Sequence, residues 1–412
     1  MAKFLSSPTK SAKNLFWFPI FLFLYSFTGN VSNDIYMPSM PVLVQFFNTG
    51  AHWVQMTLAL WFLGGAAPQL IMGPIADRYG RRTLLFTGGL IFLLSTLICA
   101  LSGHIGYLLI ARFFQGVGVC SLTIVSFVVL HELFAGHQCV RQLSLLTICN
   151  SAAPLLGPLV GGFIFLWLGW QANFYIVFLL GFIGLVGLLK FMPESKDQLD
   201  RHTLQPKILL HNYWNLLKNP EFTRHLLVYG LFFGGVIAYL SGAPFIIIQQ
   251  LKIPAQYFGI TQLAVFAAFM ATSLLVSRLV KRYHNHRIIL FGSALSVLAS
   301  ILMLVASFCF PQSLSGFVGA MMLYAAGFGL SGSPLAQETL SANPHGGGFA
   351  AAMLGFSMTG FSSLGSFVVS IVYNQTIASV AAVILMMSLV ALLLYQLLGK
   401  MSDLQKSNSE AL

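Results

Sequence analysis

The chain has 412 residues; 57% are hydrophobic and only 8% are charged. A soluble domain carries roughly 25% charged residues, so the composition excludes a water-soluble globule. The apolar stretches run about 20 residues, the length of a helix crossing ~30 Å of hydrocarbon, and exclude the shorter alternating strands of a barrel. The net charge of +11 does not indicate a nucleic-acid partner, because its placement along the chain has a different explanation.

The expected class is an all-α integral membrane protein. Twelve spans are expected near 15–37, 53–75, 83–103, 106–130, 143–168, 172–192, 223–249, 257–280, 287–309, 314–338, 347–375 and 377–400. One long polar stretch separates the sixth from the seventh. The expected organisation is therefore a six-helix half at 1–192, a linker at 193–222 and a second six-helix half at 223–412. Lys3, Lys10 and Lys13 precede a first apolar stretch too long for a signal-peptide core, so that stretch is expected to be retained as a span.

The first span closes on Gly29 to Pro41, "GNVSNDIYMPSMP". A carboxylate, Asp34, stands inside it. Asn30 and Met37 share its helix face at i−4 and i+3, and Asn33 is adjacent. After span 2 comes "GPIADRYGRRTLL", with Gly73, Asp77, Arg78, Gly80, Arg81 and Arg82. Gly73 permits close helix contact and Gly80 a tight turn. Asp77 suits the positive end of a neighbouring helix, and Arg81 or Arg78 can pair with Glu132 at the end of span 4. These pairs are expected to stabilise an outward-open state.

Span 4 carries Arg112, with Gln115 one turn on. Asp34 lies about four residues from the outer end of span 1 and Arg112 about six from the outer end of span 4, so their depths differ by only ~3 Å. Two opposite charges at one depth make pairing the cheapest arrangement in a membrane. Burial and a neighbouring guanidinium act on a carboxylate in opposite senses, which is the basis of a switchable proton site. Span 5 holds Asn150 and "APLLGPLVGG": Pro154 and Pro158 bend the helix, and Gly157, Gly161 and Gly162 offer a flat packing face. Tyr239 in span 7 and Gln262 in span 8 are further polar candidates. After span 8, "SRLVKRYHNHR" echoes the loop after span 2, and Glu338 ends span 10 as Glu132 ends span 4. This correspondence agrees with two parallel repeats.

Of the 21 Lys and Arg residues, only Lys252 falls on the side opposite the others, and only Arg112 lies within a span. Basic loops mark the cytoplasmic face, so both termini are expected in the cytoplasm. Of the ten acids, Asp34 alone is placed deep in the membrane. The five cysteines are scattered without metal or redox spacing. No nucleotide-binding loop or His-Glu-x-x-His pattern occurs, so neither an enzyme nor a cofactor is expected.

The loop from Gly73 to Leu85 resembles the signature loop of the major facilitator superfamily, with Ile75 in place of the commoner Leu. The resemblance implies that superfamily's fold and makes span 11 the neighbour of Asp77. "LLIARFFQGVGVC", "SGAPFIII" and "SPLAQE" resemble the Bcr/CflA-type drug/proton antiporters. "LYSFTGNVSNDIYMPSMP" and "APLLGPLVG" are similar to MdfA-type multidrug exporters. The span 5 sequence resembles the motif of the exporting branch. These resemblances imply proton-coupled export of amphiphilic, drug-like molecules across the cell inner membrane. Asp34 and Arg112 would handle the proton, and Asn30, Asn33, Asp34, Met37, Gln115, Asn150, Tyr239 and Gln262 would form the substrate pocket. The expected partners are a small molecule, protons and the bilayer, and the expected state is a monomer. MdfA-type exporters carry a second acid eight residues before the aspartate; here that position is Ser26. An exporter of one natural product, such as a siderophore, and a metabolite uptake symporter are the alternatives.

Overall fold

A computed structural model describes residues 8–193, 205–342 and 347–410, and every regular element among them is helical. The first element, α1 (Pro8–Asp34), stops three residues short of the expected end of span 1. Pro38 explains this, because it has no backbone N–H to bond back to Asp34 O and it disfavours the α-conformation at Met37. The chain turns at Ile35–Tyr36, makes a single 3₁₀ turn at Met37–Ser39 and forms the short α2 (Met40–Phe46). Span 2 is also broken: α3 (Ala51–Ala66) and α4 (Gln69–Tyr79) meet at 44° around Ala67 and Pro68. The helices α5 (Arg81–Leu101), α6 (Ile105–Leu133), α7 (Gly136–Leu168) and α8 (Trp170–Phe191) complete the first half.

Of the expected linker, residues 194–204 lie outside the described residues, and 206–218 form a helix, α9 (Pro206–Lys218). The second half comprises α10 (Pro220–Pro244), which runs on into a π-helical stretch at Phe245–Gln250, then α11 (Ala255–Leu279), α12 (Asn285–Cys309), α13 (Leu314–Ser341), α14 (Gly347–Val372) and α15 (Ile377–Glu410). Among the described residues, ten helices are long and apolar enough to cross a membrane, and the bent α3–α4 pair makes eleven. The twelfth member of the bundle is α1, which packs along α7 and α8.

The packing repeats. In the first half the pairs are α5 with α6, α3 with α6, α1 with α8, α1 with α7 and α5 with α8. In the second they are α12 with α13, α11 with α13, α10 with α15, α10 with α14 and α12 with α15. Each pair in one list has its counterpart in the other, as expected of parallel repeats. The halves meet along two seams, α3–α4 against α14 and α7 against α11, which are exchanged by the same pseudo-symmetry.

The direct hydrogen bonds between the halves, among the described residues, gather away from the basic loops. Ser363 Oγ donates to Ala59 O at 2.9 Å, and Gln55 Nε2 to Ser241 O and Gln249 Nε2 to Pro41 O, each at 3.4 Å. There Gly259 fits against the backbone of Leu159, a contact that any Cβ would block. The bundle is therefore closed on its far face.

Candidate functional site

Between the halves lies a cavity of about 350 Å³, within the range typical of small-molecule sites. Asn30, Asn33 and Asp34 at the end of α1 form a polar patch on its wall, and Gln69, Thr123, Ser151 and Thr359 add single polar groups elsewhere. Trp61 and Phe62 of α3, Phe233 of α10, Phe266 and Phe269 of α11, and Phe328 of α13 supply the aromatic part of its apolar wall. Asp34 is the only acid lining it among the described residues.

The polar patch is the end of a buried hydrogen-bond chain. Arg112 is fully buried in α6. Its hydrogen bonds do not go to Asp34 directly. Arg112 instead donates to Ser32 O at 3.0 Å, to Asn33 Oδ1 at 3.0 Å and to Gln115 Oε1 at 2.6 Å. Asn33 Nδ2 then donates to Asp34 Oδ1 at 3.1 Å. The expected pair is thus an Arg112–Asn33–Asp34 relay, in which one amide presents its oxygen to the cation and its nitrogen to the anion. The guanidinium also lies 4.4 Å from the ring centroid of Tyr36, an attraction that strengthens away from water. Gln115 Nε2 donates onward to Thr96 Oγ1 at 2.8 Å, tying the relay to α5.

Ser26 and Asn150 form a second, neutral group. Ser26 Oγ donates to Asn150 Oδ1 at 2.8 Å, and Asn30 Nδ2 donates to the same oxygen at 3.2 Å. Met37, Gln115 and Asn150 therefore stand behind the cavity wall, because local geometry directs them into packing or hydrogen bonds. Tyr239 and Gln262 also stand behind it, joined by a long contact of 3.5 Å. Among the sequence candidates for the pocket, Asn30, Asn33 and Asp34 reach its surface.

The glycines of span 5 have a specific neighbour. A Cβ at Gly157 would stand 2.9 Å from the Asp34 Cβ, and one at Gly161 would collide with the Ile35 carbonyl oxygen. Gly162 meets α11 at Ala255. Pro154 lines the cavity, and Pro158 is buried one turn on. The motif therefore seats α7 against the residue that carries the charge.

At the basic face, Arg81 Nη2 bonds Asp77 at 2.7 Å and Glu132 at 2.9 Å, while Nη1 donates to Ala76 O. Arg82 reaches Leu189 O at the end of α8, and Arg78 lies over the Tyr79 ring. Gly80 has φ +91°, which favours glycine. Gly73 makes no close helix contact, since a Cβ there would meet nothing within 4 Å. The Arg81 bonds join α4, α5 and α6 within one half and are formed while the far face is closed, so they do not require a far-open state. Span 11, the expected neighbour of Asp77, is α14, which packs against α4, the helix that carries Asp77.

The cavity's aromatic lining is what sequence reasoning missed. With 37 Phe in the chain, abundance hides which ones converge. Phe328 is the hub, stacked on Phe269 at 5.6 Å and edge-on to Phe233 at 6.0 Å.

A helical bundle of two equivalent halves around one intramembrane cavity is the architecture of a solute carrier that rocks about a central site. Residues 22–370 match the Major Facilitator Superfamily, and the chain belongs to that family. It is 28% identical over 351 residues to the multidrug transporter MdfA of Escherichia coli O6:H1, covering 85% of each chain. It is 27% identical over 368 residues to the protein of the same name in Yersinia pestis bv. Antiqua, covering 89% of this chain and 90% of that one. The xylose transporter XylE of E. coli superposes with a TM-score of 0.71 at 16% identity, over 92% of this chain and 97% of that one, a likeness of fold.

Proposed function

We propose that this protein exports amphiphilic, drug-like molecules in exchange for protons, by alternating access across the cytoplasmic membrane. Halves 1–192 and 223–412 rock about the cavity as a monomer, joined by the linker at 193–222. Both termini face the cytoplasm, so the conformation described here is closed to the outside. The observation that carries this reading is the relay: Asp34 is the cavity's one acid, held through Asn33 by a buried arginine. Substrate arriving at Asp34 displaces its proton, and protonation from outside displaces the substrate. Arg112 holds Asn33 in the orientation that presents its amide to the carboxylate. Asp77, Arg78, Arg81, Arg82 and Glu132, with the turn at Gly80, act as the hinge at the cytoplasmic end. The resemblance to multidrug transporters supports the substrate class, as does an aromatic cavity with a single charge.

The direct test is proton release from purified protein in weakly buffered detergent on adding a lipophilic cation such as tetraphenylphosphonium. Release is expected from the wild type and not from Asp34→Asn. Equal release from both would remove Asp34 from the mechanism.

A further inference from the structure

The linker helix α9 has three stripes where a helix in water needs two. Leu209, Tyr213 and Leu216 form the buried stripe, packed against Leu70 of α4 and against α10 and α14. Lys207, His211, Asn215 and Lys218 form a polar stripe on another side. Between them, at i, i+4 and i+7, lie Leu210, Trp214 and Leu217, which are 71%, 58% and 39% exposed. The order around the helix is protein, apolar, basic. That order matches a helix lying in the plane of a membrane interface, with its side against the bundle, its apolar stripe toward the acyl chains and its lysines among headgroups.

We propose that α9 is an interfacial anchor on the basic face, with Leu210, Trp214 and Leu217 in the lipid leaflet and Lys207 and Lys218 on anionic headgroups. Three observations select the bilayer as the occupant. The helices α9 rests on expose apolar side chains as well, among them Ile71 of α4 and Phe356 of α14. Tryptophan prefers the headgroup level. The turn at Asn219, whose side chain caps α10 and bonds Ala342 O, breaks the line between α9 and α10 and lets α9 lie across the bundle.

The anchor sits on a moving part. Tyr213 Oη donates to Leu70 O of α4 at 2.7 Å, and its ring meets Phe349 of α14 edge-on at 5.3 Å. Burial pushes the Tyr213 hydroxyl up to about 12, so it remains a donor at any physiological pH. α9 therefore straddles the α4–α14 seam, and the seam cannot part without moving a helix held by lipid. The composition of that leaflet becomes a control on opening.

The test compares wild type with Trp214→Phe in nanodiscs and needs no transport, so it stands apart from the export reading. Lipids brominated near the headgroup end of the acyl chain are expected to quench wild-type emission more than that of W214F, and acrylamide is expected to quench the two equally. Quenching of Trp214 by acrylamide would place the stripe in water. Protection from both quenchers would place it against protein. Either result overturns the proposal. In vesicles of phosphatidylethanolamine with added phosphatidylglycerol, wild-type efflux should depend on the anionic lipid. Lys207→Glu/Lys218→Glu should lose that dependence, at about fivefold per lysine in the grip of α9 on the surface. The same lipid dependence in both proteins would overturn the anionic part of the proposal.

Discussion

The two halves share their helix pairings and differ in what they place at the joints. Where α6 crosses α1, Arg112 donates to a backbone carbonyl, Ser32 O. Where α13 crosses α10, the counterpart is a tyrosine, with Tyr324 Oη donating to Phe232 O at 3.0 Å. At the basic face, the first residue of α5, Arg81, bonds Glu132 of α6, while the first residue of α12, Asn285, bonds Glu338 of α13 at 2.7 Å. A neutral donor suffices for the fold at both joints of the second half. The charges at the equivalent joints of the first half cost desolvation that packing alone does not require. On the export reading proposed above they mark the half that handles the proton, while the second half supplies Phe233, Phe266, Phe269 and Phe328 of the aromatic wall.

The strongest way to break this comparison is to remove the cavity's charge. Asp34→Asn keeps the side chain's size and its contact with Asn33. It should abolish pH-gradient-driven efflux from proteoliposomes while leaving expression and detergent stability near wild type. Full gradient-driven efflux by this variant would show that the first half's charges do not carry the coupling.

Next comes the pair of helix-crossing donors. Arg112→Ala leaves Asn33, Gln115 and the Asp34 carboxylate without their cation, and should cost about 3–5 kcal/mol, the range for breaking a buried charged network. Tyr324→Phe removes one neutral hydrogen bond and should cost about 0.5–1.5 kcal/mol with coupling intact. Thermal unfolding in detergent and gradient-driven efflux measure the two effects. Equal losses would mean that the arginine is a structural donor like its tyrosine counterpart.

Much of this site was legible from residue type and depth. The spans, the depth match of Asp34 and Arg112 and the loop after span 2 follow from hydropathy and helix rise. What stands between the two charges did not follow, because it depends on which way Asn33 points at a helix end where proline has already stopped the α-helix. The same holds for Met37, which its 3₁₀ turn buries behind the wall. The linker's polarity concealed α9, whose apolar residues are spaced for two faces instead of one. The glycines of span 5 could be read as a packing face, but their partner could not, since contact between α7 and the end of α1 is a property of the assembled bundle. The aromatic wall drew its members from α3, α10, α11 and α13, and no local pattern links them.

The glycines give a third contrast, within the first half. Gly161→Ala forces a methyl onto the Ile35 carbonyl and should cost about 1–3 kcal/mol while lowering efflux, because the strain falls next to Asp34. Gly73→Ala enters open space and should be neutral or slightly stabilising by thermal unfolding, since alanine favours the helix. A loss of transport in Gly73→Ala without a loss of stability would instead point to a close contact that forms only when the far face opens.

The smallest effects belong to the two carboxylates at the basic face. Glu132→Gln removes one of the two acids on Arg81, while Asp77 at 2.7 Å and Ala76 O at 2.9 Å remain. Because Glu132 is partly exposed, the loss should stay within about 1 kcal/mol. Glu338→Gln keeps an acceptor for Asn285 and should cost less, because an amide oxygen serves a neutral donor nearly as well as a carboxylate does. The difference between them, read as the salt dependence of the unfolding temperature, isolates charge from hydrogen bonding. Added salt should narrow the gap between wild type and Glu132→Gln and leave the gap for Glu338→Gln unchanged. If both gaps narrow alike, Glu338 acts through its charge as well, and the basic faces of the two halves are electrically more similar than the Arg81–Asn285 difference implies.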